Sequence, residues 1–185
     1  MRRRLMGSLL IFALAGLGVL GYACFGKAES EEAGWTHAKS YDSLENIRAE
    51  ADLVVRAHVP LYYDIREVGE GDKITRQAFY DVVIGEVFKD LTGHGFSKGS
   101  EIVVNQVIGM KDIGAADYSS DRGMKPMKAG DYLLFLKKFI HPDGKVYYIS
   151  NSSRHLYKWR GNGIFSNITS DELTEIRYSE LSGES

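Results

Sequence analysis

Asp131–Phe139 reads DYLLFLKKF, the most apolar segment of the chain after its first 25 residues. It is far short of the roughly 20 residues a helix needs to cross a bilayer. Gly130 bounds it on one side and the turn His141-Pro142-Asp143-Gly144 on the other, so it reads as a central strand. Leu133 to Leu136 are apolar without a break, as are most residues of Val82–Val87, and both strands are expected to be buried on two faces. A closed barrel with a helix packed on its end meets that demand and removes free edges.

The flanking sequence carries the same period. Leu53, Val55, Ala57 and Val59 alternate with Val54, Arg56 and His58, the pattern of a half-covered strand, and Pro60 marks an edge or bulge. Further strands are expected at Leu61–Val68, Ile74–Lys89, Glu101–Val107, Lys145–Ser150, Leu156–Arg160 and Ile164–Ile168. Gly85 falls where the long third strand should bend. Eleven Tyr and eight Phe suit a pleated surface. Two helices frame the strands: one opened by Asp42 and Glu45, and a C-terminal one opened by Thr169 and Glu172, both at capping-box spacing. The predicted class is mainly β, a small antiparallel barrel with a flanking N-terminal helix and a C-terminal helix.

The first residues predict a location. Arg2, Arg3 and Arg4 precede an uncharged run from Leu5 to Phe25, long enough to cross a membrane as a transmembrane or signal helix. The arginines hold the N-terminus in the cytoplasm, so the remaining chain is expected outside the cell membrane. Residues 1–27 therefore read as a signal anchor or signal peptide, 28–41 as a polar stalk, 42–168 as the barrel domain and 169–185 as the C-terminal helix and tail. Cys24, the only cysteine, leaves three fates open: an uncleaved anchor, cleavage after a small residue, or lipidation at Cys24 itself. The domain has no disulfide and rests on its hydrophobic core.

Charge and motifs exclude more than they assign. The net charge is −2, and the first 41 residues hold five basic residues against three glutamates, which leaves the domain at −4. No basic field is present, and nucleic-acid binding is not expected. Gly95-Phe96-Ser97-Lys98-Gly99 has the form of a nucleophile elbow, but it precedes a strand inside a Gly/Ser-rich connection. His37, His58, His94, His141 and His155 lack ligand spacing and read as surface residues. Asp64, Asp81 and Glu86 fit a solvated sheet face, Asn151 and Asn167 begin formal glycosylation sequons, and no cofactor or metal is called for. Residues 108–130 form the longest stretch without period, beyond the usual loop length of about 12–15 residues. Met110, Tyr118, Met124 and Met127 within it are expected to form an adaptable apolar surface for a partner.

Ser43-Leu44-Glu45, Ala51-Asp52-Leu53-Val54-Val55-Arg56-Ala57-His58-Val59, Val83–Lys89, Lys98-Gly99-Ser100-Glu101-Ile102-Val103-Val104 and Lys128-Ala129-Gly130-Asp131-Tyr132-Leu133-Leu134-Phe135-Leu136 occur in this order. The order resembles a widespread group of uncharacterised Gram-positive exported proteins, over about residues 42–166. It is similar, more distantly, to the OB-like barrel of the tissue inhibitors of metalloproteinases. The resemblance implies an OB-like β-barrel and transfers no catalytic residue. Those inhibitors chelate zinc through a free N-terminal cysteine held by a disulfide. Here Cys24 lies in the leader without a second cysteine. The expectation is a monomeric, non-enzymatic binding module tethered to the membrane by its N-terminal segment, with an envelope protein or small ligand as partner. An envelope enzyme assembled only on folding, and an inhibitor or sensory partner of an envelope protease, are the alternatives.

Overall fold

The computed structural model describes residues 39–70, 72–114, 116, 125–141 and 144–182. The leader, most of the stalk, Cys24, Tyr118 and Met124 lie outside the described residues. Among the described residues no helix is long and apolar enough to cross a membrane.

Helix α1 (Leu44–Glu50) is capped by Ser43, whose Oγ accepts the Asn46 N–H at 3.2 Å. Asp42, expected in that role, instead accepts from the Asn46 side chain at 2.6 Å. Nine strands follow: β1 (Leu53–Val59), β2 (Asp64–Glu70), β3 (Lys73–Asp90), β4 (Glu101–Asp112), β5 (Gly130–Ile140), β6 (Val146–Ser150), β7 (Tyr157–Gly161), β8 (Ile164–Asn167) and β9 (Glu175–Arg177). Helix α2 (Tyr178–Ser182) ends the described chain. The protein is mainly β, as its alternation predicts.

Five strands form a ring in the order β1-β3-β4-β6-β5, closed where β5 pairs with β1 from Leu53↔Leu136 to Val59↔Gly130. The expectation of an antiparallel barrel is corrected here. An odd number of strands cannot alternate direction all the way round, so one neighbouring pair must run parallel. That pair is β4–β6, and it is short: only Val104↔Tyr148 and Asn105↔Ile149 are matched, so the ring is incompletely sealed at this seam. The β5–β6 hairpin causes it, since β5 lands beside β1 and its return strand must meet β4 running the same way. Strand β2 starts later than expected, at Asp64, and pairs only with β3. The bend in β3 falls where predicted: Arg56 faces Glu86 and Ala57 faces Ile84, so Gly85 is the extra residue of a bulge.

The inside of the ring is filled by Leu53, Val55, Ala57, Ala78, Tyr80, Val82, Ile84, Leu134 and Leu136 with their neighbours. A second core lies outside the β1–β5 wall. There Val54, Leu133 and Phe135 pack with Tyr41, Ile47, Tyr157, Phe165, Ile176 and Leu181 from α1, β7, β8, β9, α2 and the adjoining segments. Two-sided burial at Leu133–Leu136 is thus explained by a second layer on the barrel. It does not extend to Val82–Val87, where Val83 is 42% exposed.

The expected helix from Thr169 is also corrected. Asn167 ties residues 167–172 into a turn: its Nδ2 donates to the carbonyls of Arg154 (2.9 Å) and Glu172 (2.8 Å), and its Oδ1 accepts the Thr169 N–H at 3.0 Å. Leu173 then takes φ 42°, which a helix does not tolerate, and Glu175–Arg177 pairs with β8 so that Ile176 enters the second core. Only a five-residue helix is left. Asn151 is committed as well, donating to the Ile47 carbonyl at 3.3 Å, so both sequon asparagines serve the fold.

Candidate functional site

Because Ala78, Tyr80 and Val82 point into the ring, the alternation of β3 turns Thr75, Gln77, Phe79 and Asp81 outward. Register brings β2's Arg66 opposite Gln77, β4's Asn105 opposite Phe79, and β5's Phe139 opposite β6's Tyr147. The Arg66 guanidinium lies 4.4 Å from the centre of the Phe79 ring and donates to the Tyr147 hydroxyl at 3.3 Å. Phe79 meets Tyr147 edge to face at 5.1 Å, Tyr147 meets His141 at 5.9 Å, and His141 meets Phe139 at 6.3 Å. The result is a cation resting on a band of rings across four strands.

Beside the band runs a polar ladder. Asn105 Nδ2 donates to Gln77 Oε1 at 2.7 Å, Gln77 Nε2 to Thr75 Oγ1 at 3.1 Å, and Thr75 Oγ1 to the Val68 carbonyl at 3.0 Å. Buried polar groups are destabilising unless paired, and each member of this chain has a partner.

A cavity of about 370 Å³ lies at the seam where β4 and β6 part. Asp81 and Glu101 line it together with His94, Phe96, Val146 and Tyr148. The connection from 91 to 100, which holds the elbow-like Gly95–Gly99 string, folds over this end of the ring. Asp90 organises it by accepting from the Thr92 hydroxyl (2.6 Å), the Thr92 N–H (2.8 Å) and the Phe96 N–H (2.9 Å). Burial raises the Asp90 carboxyl, but these bonds outweigh it and hold the group below its ordinary value. Phe96 packs on the barrel core and meets Tyr148 edge to face at 5.7 Å. The Tyr148 hydroxyl is sealed from solvent, within electrostatic reach of Thr92 but without a hydrogen bond of normal geometry. Burial pushes its pKa up.

Of the residues expected to form an adaptable partner surface, Met127 does the opposite and plugs the other mouth of the ring, 6% exposed. The Met127 N–H donates to the Tyr80 hydroxyl at 2.9 Å and to Gln106 Oε1 at 3.2 Å, while Gln106 Nε2 holds the Lys125 carbonyl at 3.1 Å. Its side chain cannot serve a partner without leaving the core. Met110 is half-buried on β4, opposite Thr75, because β4 runs on to Asp112 instead of ending at Val107. The structure therefore does not bring Met110 and Met127 into one surface; Tyr118 and Met124 are outside the described residues.

His155 also departs from expectation. Its side chain is fully buried, not at the surface. Nε2 accepts the Tyr41 N–H at 3.0 Å, so Nδ1 carries the proton and faces the Tyr157 hydroxyl at 3.2 Å. Burial lowers the imidazole pKa; Glu172, 3.8 Å from Nε2, opposes that shift and Arg154 adds to it. Ser152 donates to the Lys39 carbonyl and Ser40 to Glu172 at 2.5 Å, so residues 39–41 are pinned onto the domain. His58 pairs with Asp131 at 2.8 Å on the exposed surface, as its sequence position suggests. Among the described residues no three His, Cys, Asp or Glu side chains gather as a metal site. No protein-family model, curated protein or solved structure matches this chain.

Proposed function

We propose that this chain is a membrane-tethered, extracytoplasmic binding module built on an OB-like barrel, whose contact surface is the outer face of β2, β3, β4 and β6. The five-strand ring order with its single parallel seam supports the OB-like assignment. In such barrels the second and third barrel strands, here β3 and β4, present the ligand face. The observation that carries the reading is the half-exposed Arg66 guanidinium, which is held on the buried rings of Phe79 and Tyr147. An arginine side chain so fixed loses little freedom on binding, and such residues are enriched among those that dominate contact energies.

Placing a photo-crosslinking amino acid at Arg66 in intact cells is expected to trap a discrete envelope adduct, while the same residue at Glu175 on β9 traps none. Equal yields at both positions, or none at Arg66, would remove the face from consideration. The tether is checked separately. A reporter active only outside the cytoplasm, fused after Ser185, is expected to be active, and a cytoplasm-only reporter silent. The reverse pattern would mean that Arg2, Arg3 and Arg4 do not orient the chain.

A further inference from the structure

We propose that residues 39–41, which lead into the first helix of the domain, form an acid-released latch in which His155 Nε2 exchanges the Tyr41 N–H for Glu172. This device lies outside the contact face. Its consequence for the position of the barrel rests on the reading of the chain as tethered.

Three polar fastenings hold this short stretch. The Tyr41 N–H donates to His155 Nε2 at 3.0 Å, the Ser40 hydroxyl donates to Glu172 Oε2 at 2.5 Å, and the Ser152 hydroxyl donates to the Lys39 carbonyl. His155 is the one group among them whose ordinary titration falls near neutral pH. Its side chain is fully buried. Nε2 has a single lone pair, so it either accepts the Tyr41 N–H or carries a proton. Nδ1 offers no substitute, because it already carries the proton that faces the Tyr157 hydroxyl at 3.2 Å.

A receiver for the second proton is already beside the ring. Glu172 Oε2 lies 3.8 Å from Nε2, and an approach of about 1 Å gives a charge-assisted hydrogen bond. The same oxygen accepts from Ser40, while Oε1 pairs with Arg154 at 2.6 Å. Protonation therefore sets the Tyr41 N–H against a new N–H and draws Glu172 from Ser40 toward His155. Glu172 and Arg154 are the charged groups that act on the imidazole: the carboxylate favours its protonated form, and burial and the guanidinium oppose it. Tyr41 and Tyr157 meet it as neutral rings at 5.5 and 6.2 Å. Lys39 and Glu50 are paired at 2.5 Å, but both are exposed, so water screens them and they hold the stretch weakly. The Tyr41 ring is 4% exposed in the outer core, which confines the change to the backbone of residues 39–41 and leaves the sheet intact. In a tethered module, acid outside the cell thus frees the chain up to Tyr41 and lengthens the connection to the barrel.

The test uses the full chain, isotope-labelled in neutral detergent and titrated from about pH 7.5 to about pH 5. It follows the imidazole nitrogen shifts of His155 and the amide protection of Tyr41, corrected for the intrinsic pH dependence of exchange. At the upper pH the ring should be neutral with its proton on Nδ1. On acidification the Nε2 lone pair should be lost together with a fall in Tyr41 protection of at least about tenfold, while amides of the β1–β5 wall stay protected. His155→Gln can still accept from Tyr41 but cannot titrate, so its Tyr41 amide should stay protected throughout. Glu172→Gln removes the receiving charge and should move the midpoint to lower pH. Constant Tyr41 protection in the parent, the same fall in His155→Gln, or an unmoved midpoint in Glu172→Gln would each overturn the proposal. So would simultaneous loss of protection across the β1–β5 wall, which is unfolding and not release. If His155→Gln does not fold, the parent alone decides, by whether the imidazole and amide midpoints coincide. The reporter fused after Ser185 reads the tether by itself, so failure of the latch and failure of the tether are separable results.

Discussion

Leu134→Ala and Phe135→Ala are both expected to destabilise the fold strongly, by about 2–5 and about 3–5 kcal/mol respectively. The two side chains leave opposite faces of β5. Leu134 fills the ring with Val55, Tyr80 and Leu136, whereas Phe135 enters the outer core with Val54, Leu133 and Tyr157, whose ring it meets at 5.9 Å. Each truncation removes buried apolar area and leaves a cavity that the surrounding strands, paired on both sides, cannot close. Adjacent positions on a sheet with one wet face would behave differently, with one change costly and the other close to neutral. Denaturant unfolding of the full chain, read as a midpoint shift at constant slope, decides the matter. If either variant unfolds within error of the parent, the β1–β5 wall is covered on one side only and the second core is misplaced.

His155→Ala is expected to cost about 2–4 kcal/mol, because it leaves the Tyr41 N–H and the Tyr157 hydroxyl unpaired in a sealed site. The same residue gives the chain a pH dependence of known sign. Burial lowers the imidazole pKa below its ordinary 6.5, so between that value and the native one the unfolded chain binds more protons than the folded chain. Stability is therefore fully present above pH 6.5, declines as the pH falls below it, and levels off once the native imidazole is itself protonated. Protonation places a hydrogen on Nε2, which then cannot accept from Tyr41, so residues 39–41 should lose amide protection in the same window. Asp90 and Glu50 are held below 3.8 and 4.5, and their contributions are lost only in a lower window as the pH falls. The parent should lose stability just below pH 6.5 and the His155→Ala variant should not. Equal pH profiles for the two would show that His155 does not set this dependence.

Several features were legible in the linear sequence because their causes are local. Alternation at Leu53–Val59 reports one strand with one inward face. The unbroken apolar run at Leu133–Leu136 reports two covered faces, and the core assignments of Leu134 and Phe135 agree with it. Gly85 marked the bend of a strand too long to stay straight. Where expectation failed, the cause was contact between residues distant in the chain. Met127 sits in a polar, aperiodic stretch and looked available to a partner; the Tyr80 hydroxyl and Gln106, 47 and 21 residues earlier, draw it into the ring. His155 resembled any loop histidine until Tyr41, 114 residues earlier, donated to it. Thr169 with Glu172 had the spacing of a helix start, yet the Asn167 side chain captured the backbone groups that such a helix would have used.

The contact face divides in the same way. Phe79, Asp81 and Tyr147 could be assigned to strands from the sequence, but their side depended on which strands became neighbours. The sequence by itself determined eight of the nine described strands, the bend at Gly85 and the two-faced burial of β5, because side-chain period and backbone permissiveness act within a few residues. Only the tertiary structure decided the parallel β4–β6 seam, the cavity beside it, the burial of Met127 and His155, and the meeting of Arg66 with Phe79 and Tyr147. The seam follows from closing an odd-stranded ring and the others from contacts between residues distant in the chain, constraints that no local window contains.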